Sequence, residues 1–232
     1  MHNATRYILL TRLVEQCDFA LVAATTLVRM LRHWQPQSKE DMSRRHLLIW
    51  FNVQNFVVAV GNIAKVLSPV ALRFKKGMPR HEVERRNMEM QHRAESLRAE
   101  LGIAQDNIIL QKKVRNGFEH YDEHVHALDL WGKAPHPDIV DKVILPPGSI
   151  QISGKRPSYL RAINPQTLTI SFQDVPMPGS IPDYIRELTS LREAANRLHV
   201  AMARPSAEGH PRSVPAPQPG SSDPLPDPNN AV

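Results

Sequence analysis

From His46 to Ala64 the chain carries no Asp, Glu, Lys or Arg. A helix through this stretch is apolar almost all round, and such a helix lies either in a bilayer or in the middle of a core. The run approaches the ~20 residues that cross a membrane. Asn52, Gln54, Asn55 and Asn62 interrupt it. Four amides in hydrocarbon are costly, and the rest of the chain offers no second span. The reading is a buried helix over residues 41–67 of a soluble protein, stopped by Ser68-Pro69.

Three more helical segments flank it. Residues 4–34 place Leu10, Leu13, Val14, Cys17, Leu21, Ala24, Val28 and Leu31 at three and four spacing, one apolar stripe. Residues 80–101 are rich in Arg and Glu, with Met88, Met90, Leu97 and Leu101 as sparse apolar points and Gly102 as the stop. A fourth segment, capped by Asp106, runs to about Trp131 with Val114, Phe118, Tyr121, Val125 and Leu128 as its stripe.

After Trp131 the pattern changes. Gly132, Pro135, Pro137, Pro146, Pro147 and Gly148 break helices. IVDKVIL, SIQI, SYLRAI and LTISF read as short strands, the last two joined at Asn164-Pro165-Gln166-Thr167 as a hairpin. A final helix over 180–203 buries Ile181, Ile185, Leu188, Leu191, Ala195 and Leu198. Beyond it, eight of twenty-eight residues are proline. Too few apolar residues remain there to offset ordering entropy, so disorder is expected. The expectation is an all-α, up-and-down four-helix bundle over 1–131, a β-hairpin appendage plus C-terminal helix over 132–204, and a disordered tail over 205–232.

A single cysteine, Cys17, excludes an internal disulfide or a cysteine-based zinc site and fits a reducing cytoplasm. The amino-terminal segment shows no basic region followed by a long apolar run, so no signal peptide is read. A net charge of +6 favours polyanionic partners. With aromatics at 6%, broad base-stacking platforms are not suggested.

The stretch VRNGFEHYDEHVH, Val114 to His126, is where chemistry concentrates. At about 100° per residue, Phe118, Tyr121, Val125 and Leu128 stay within about 40° of Val114 and face the core. Asn116 falls at about 200° and His120 at about 240°, with Arg115 at about 100°. The polar groups therefore point away from the segment's own core stripe. As residues alone they fit a solvated face with an Arg115–Glu119 pair worth a few tenths of a kcal/mol. A metal reading would use His120, His124, His126 and Glu123, but no HExxH signature is present.

Arg115-Asn116-Gly117-Phe118-Glu119-His120 resembles the Arg-Asn-x-x-x-His motif of the HEPN superfamily, small all-α bundles of which many are metal-independent ribonucleases. The resemblance covers residues 1–131. It implies a homodimer in which two motif copies form one RNA-cleaving cleft, in toxin–antitoxin or abortive-infection defence. Its partners would be RNA and an antitoxin or regulatory protein; no cofactor, metal or membrane is implied. The tyrosine that some HEPN toxins carry two residues after the histidine is Asp122 in this chain. A non-catalytic HEPN-like dimerisation or interaction module is the alternative.

The residue types suit that chemistry. Histidine titrates near neutrality and can take a proton from a ribose 2′-OH. A guanidinium can stabilise charge on the phosphorane oxygens, and the Asn116 amide can hold either partner. The catalytic candidates are thus Arg115, Asn116 and His120. Lys112 and Lys113 beside them, and Asn55 on the second helix, are candidate RNA contacts. Asn52, Asn55, Ala59 and Asn62 share one heptad-spaced line, which also reads as an internal hydrogen-bonded seam. Arg73, Lys75, Lys76, Arg80, Arg85 and Arg86 form a basic run diluted by Glu82, Glu84 and Glu89, read as solvated charge or as a phosphate track.

Overall fold

The computed structural model describes residues 2–33, 38–74, 77, 79–111, 116, 118, 139–145, 149–152 and 157–203. Helix α1, Asn3–Arg32, begins at His2, whose side chain accepts from the Ala4 amide. Helix α2, Lys39–Leu67, is capped by Ser38 accepting from Asp41 N at 3.0 Å, with Glu40 and Asp41 at the positive end of the helix dipole. Ser68-Pro69 ends it, and Arg98 of the next helix donates to the last carbonyl, Leu67 O. Helix α3, Arg80–Leu101, stops at Gly102 in the left-handed region, φ +69°.

Asp106 does not cap a long helix. Asn107 caps a single 3-10 turn, Ile108–Leu110, by accepting from Ile109 N at 3.0 Å, and Gln111 is extended. Asn107 N donates to Ala104 O at 3.2 Å, closing a turn across 104–107, so the helical segment expected from 106 does not start there.

Helix α4, Ile181–Ala203, opens with a reciprocal cap. Ser180 N and Oγ donate to Asp183 Oδ2 at 2.9 and 2.7 Å, which holds the Asp183 carboxyl below its ordinary pKa. Pro182 sits in the first turn, where no intrahelical N–H is required.

The strands are short. β1 (Ile139–Val140) pairs in parallel with β3 (Ser158–Tyr159). A second, mixed sheet runs β2 (Val143–Ile144), β4 (Arg161–Asn164), β5 (Thr169–Phe172), β6 (Val175–Pro176), with β2 parallel to β4 and the rest antiparallel. The β4–β5 hairpin turns at the expected residues: Asn164 Oδ1 accepts from Gln166 N at 2.9 Å. Gln173 and Asp174, both at positive φ, make the tight turn into β6. In SIQI only Ile152 makes a bridge.

The main core is continuous. Leu10, Leu13, Cys17 and Leu27 of α1 pack with Phe56, Ile63 and Leu67 of α2, Leu97 of α3, Ile163, Ile170 and Phe172 of the sheet, and Tyr184, Leu188 and Leu191 of α4. The fold is therefore mostly helical with a small mixed sheet, and the boundary expected at 131/132 does not divide its core. Helix α4 is a member of the bundle and not an appendage: Tyr184 meets Phe56 edge-on at 5.5 Å and donates to Ile108 O at 3.3 Å. Burial pushes the Tyr184 hydroxyl pKa up. Helix α2 is long and apolar enough to cross a membrane, yet 56% of its most apolar window is buried inside this core. On α3 the expected Leu97 and Leu101 are buried, Met88 is exposed and Met90 half-buried, and Val83 and Ala94 are further buried points. The expected tail, 205–232, lies outside the described residues.

Candidate functional site

Two residues of the motif are described, both helical: Asn116 and Phe118. Two positions apart, they stand about 200° apart around a helix. The structure buries Phe118 to 4% exposure and exposes Asn116. Phe118 lies against Phe172 of β5, ring centroids 5.6 Å apart. The core-facing assignment of Phe118 and the outward assignment of Asn116 both hold. Arg115, His120, Lys112 and Lys113 lie outside the described residues, as do His124 and His126. Among the described residues, no group of three His, Cys, Asp or Glu is placed to hold a metal ion.

The chain leading into the motif is tied down from two sides. Asn107 Nδ2 donates to Glu187 of α4 at 2.7 Å, and Tyr184 holds the 3-10 turn through Ile108 O. Phe172 is itself fixed in a sheet anchored to α2. Trp50 Nε1 donates to Lys142 O at 3.2 Å, and His46 Nε2 lies 2.8 Å from the same oxygen. Arg161 of β4 pairs with Asp141 at 2.8 Å and lies over the Trp50 ring.

The second candidate region is the outer groove between α1 and α2, about 520 Å³, lined by Gln16, Phe19, Phe51, Asn52, Asn55 and Asn62 among others. The amide line on α2 splits. Asn62 donates to Gln16 Oε1 of α1 at 3.0 Å, so it belongs to a seam between the helices. Asn52 donates to Leu48 O within its own helix, 2.8 Å. Asn55 is exposed in the groove, and its place relative to His120 lies outside the described residues. Among the described residues, the groove lining contains no charged side chain.

Sequence reasoning missed the exposed apolar side chains of this groove, Phe19, Val22 and Phe51, and exposed Leu47 one helical turn before Phe51. The signal was present, since Phe19 and Val22 fall outside the core stripe of α1 and Phe51 stands about 140° from Phe56.

The basic run is largely compensated. Arg80 pairs with Glu84 at 3.0 Å, Arg85 with Glu82 and Glu89 at 2.9 and 2.5 Å, and Arg86 with Glu82 at 2.7 Å. Hydrogen bonds from Arg86 and Arg85 hold the Glu82 carboxyl below its ordinary pKa. Arg73 is exposed, while Lys75 and Lys76 lie outside the described residues. α3 therefore offers a mixed-charge face and not a phosphate track.

Compared with models of protein families, with curated proteins and with solved structures, the chain has no match.

Proposed function

We propose that the chain is a metal-independent endoribonuclease of HEPN type, acting as a homodimer in toxin–antitoxin or abortive-infection defence. One observation carries the reading: Phe118 is buried against the sheet while Asn116, two residues earlier, is exposed. On a helix with that phase, the 3.6-residue period puts the expected positions of the Arg-Asn-x-x-x-His groups away from the Phe118 side, which supports a face that a polyanion could reach.

In this reading His120 removes the proton from a ribose 2′-OH, and the freed oxygen attacks the adjacent phosphorus. Arg115 stabilises the added charge on the phosphorane oxygens, and Asn116 orients the imidazole or the phosphate. The 5′-oxygen leaves with a proton from the histidine of the second copy, giving a 2′,3′-cyclic phosphate and a 5′-hydroxyl. Lys112 and Lys113 hold flanking phosphates.

The test is RNA cleavage in EDTA. The wild-type protein should cleave, and His120→Ala should abolish cleavage with its thermal midpoint unchanged, because the helical period sets position 120 away from the core stripe. Arg115→Ala should cost about 2.7–4 kcal/mol in single-turnover cleavage, as removal of one transition-state donor does. Full activity in His120→Ala would remove that residue as the base. A second reading, a non-catalytic interaction module with the same fold, is favoured by the exposed apolar groove on α1 and α2. Folded wild-type protein that leaves RNA intact in EDTA and in magnesium alike would select it.

A further inference from the structure

We propose that the outer groove of α1 and α2 is the seat of a second copy of this chain, with the two α2 helices crossing antiparallel about a two-fold axis near Asn55. The inference identifies this groove as the seam of the homodimer proposed above; its observations are those of the groove alone, so it stands whether or not the chain cleaves RNA.

The area fits. Phe19, Val22 and Phe51 line the groove and Leu47 stands one helical turn before Phe51 on the same face; they are 60, 68, 60 and 66% exposed. Together they present roughly 450 Å² of apolar surface, at the upper end of what monomers leave uncovered. A standard interface takes about 800 Å² per partner, about 65% of it apolar in homodimers, and the groove face supplies nearly that apolar share.

The chemistry selects the occupant. Among the described residues no charged side chain lines the groove, so they give no handle to phosphates or to a charged peptide. A lipid surface would take the aromatic rim but would strip water from the Asn55 amide, which makes no hydrogen bond within the chain. An amide both donates and accepts, so it is complementary to its own symmetry mate. A single amide at a helix–helix seam is a recognised way to set register. Centring the crossing on Asn55 puts Phe51 of each copy opposite Ala59 of the other, a large side chain facing a small one, as interdigitating helices require. Asn55, an RNA contact in the sequence reading, is thereby reassigned to the contact between copies.

Two measurements on the full chain test this. Light scattering at tens of micromolar should give twice the chain mass for wild type. It should give the single-chain mass for Phe19→Glu/Phe51→Glu, with the thermal midpoint kept, since both rings are exposed. Under mild oxidation Asn55→Cys should form a covalent dimer and Met88→Cys, exposed on α3, should not. Cys17 gives no background: it is buried and its thiol pKa is pushed up to about 12. A monomeric wild type, a double variant that stays dimeric, or equal cross-linking of the two cysteine variants would each overturn the proposal. A monomer that floats with phosphatidylcholine vesicles only while Phe19 and Phe51 are present would overturn it in favour of a lipid surface. None of these readouts involves RNA, so a dimer without nuclease activity fails the functional reading alone.

Discussion

Helices α2 and α3 are similar in kind and opposite in construction. α2 buries Ile49, Val53, Phe56, Val57, Val60, Ile63 and Leu67 along most of its length. α3 buries only Val83, Ala94, Leu97 and Leu101, and its first turns are crossed by Arg–Glu pairs. An apolar helix has to be surrounded, so α2 organises the fold: α1, the sheet and α4 all meet it. A charged helix satisfies itself locally, through pairs worth a few tenths of a kcal/mol each. Where α2 is left uncovered, at Leu47, Phe51 and Asn55, the exposure therefore carries information. Exposure on α3, at Met88, does not, since a single apolar side chain among charges is ordinary surface.

Core truncation separates the two helices most strongly. Phe56→Ala removes a fully buried ring and its edge contact with Tyr184, and should cost about 3–5 kcal/mol. Leu97→Ala on α3 should cost about 2–3 kcal/mol, the low end for a buried leucine, because a helix with few buried points can settle into the space. Denaturant midpoints at constant m-value measure both. Equal losses would show that α3 is held as firmly as α2 and would break the contrast.

The same contrast explains what could be read without coordinates. The end of α3 was legible because Gly102 takes the left-handed stop locally. The hairpin at 164–167 was legible because Asn164 bonds its own turn. The membership of α4 in the bundle was not, since a 3.6-residue stripe says that a face is buried but not against what. The parallel pairings of β1 with β3 and β2 with β4 join segments distant in sequence and leave no local mark. At the motif, periodicity correctly assigned Phe118 inward and Asn116 outward. The groove escaped because the exposure of Phe19 and Phe51 depends on which helices flank α1 and α2.

Surface substitution gives a smaller effect. Met88→Lys should change stability by less than about 0.5 kcal/mol, since the side chain stands among charges and touches no core. A loss above 1–2 kcal/mol would mean that α3 has a packed outer face after all.

The smallest effect is a pH dependence confined to α3. The Glu82 carboxyl is held below its ordinary value by hydrogen bonds from Arg86 and Arg85, and Arg85 is raised above its own by Glu82. A carboxyl whose folded pKa is depressed stabilises the fold above its unfolded value, 4.5, and that contribution fades as pH falls through the folded pKa. The raised Arg85 acts in the opposite sense, since its contribution is present below its ordinary range and lost only at still higher pH. Acidification therefore exposes the Glu82 limb alone. Wild type should lose thermal midpoint faster than Glu82→Gln as pH drops from 5 toward 3, with the difference between them shrinking, because the variant has no carboxylate to protonate at that site. Adding salt at pH 7 should shrink the same difference, as Arg85 and Arg86 are exposed and Glu82 is only partly covered. A gap between the two proteins that is flat in pH and in salt would show that Glu82 supports α3 by packing and not by charge.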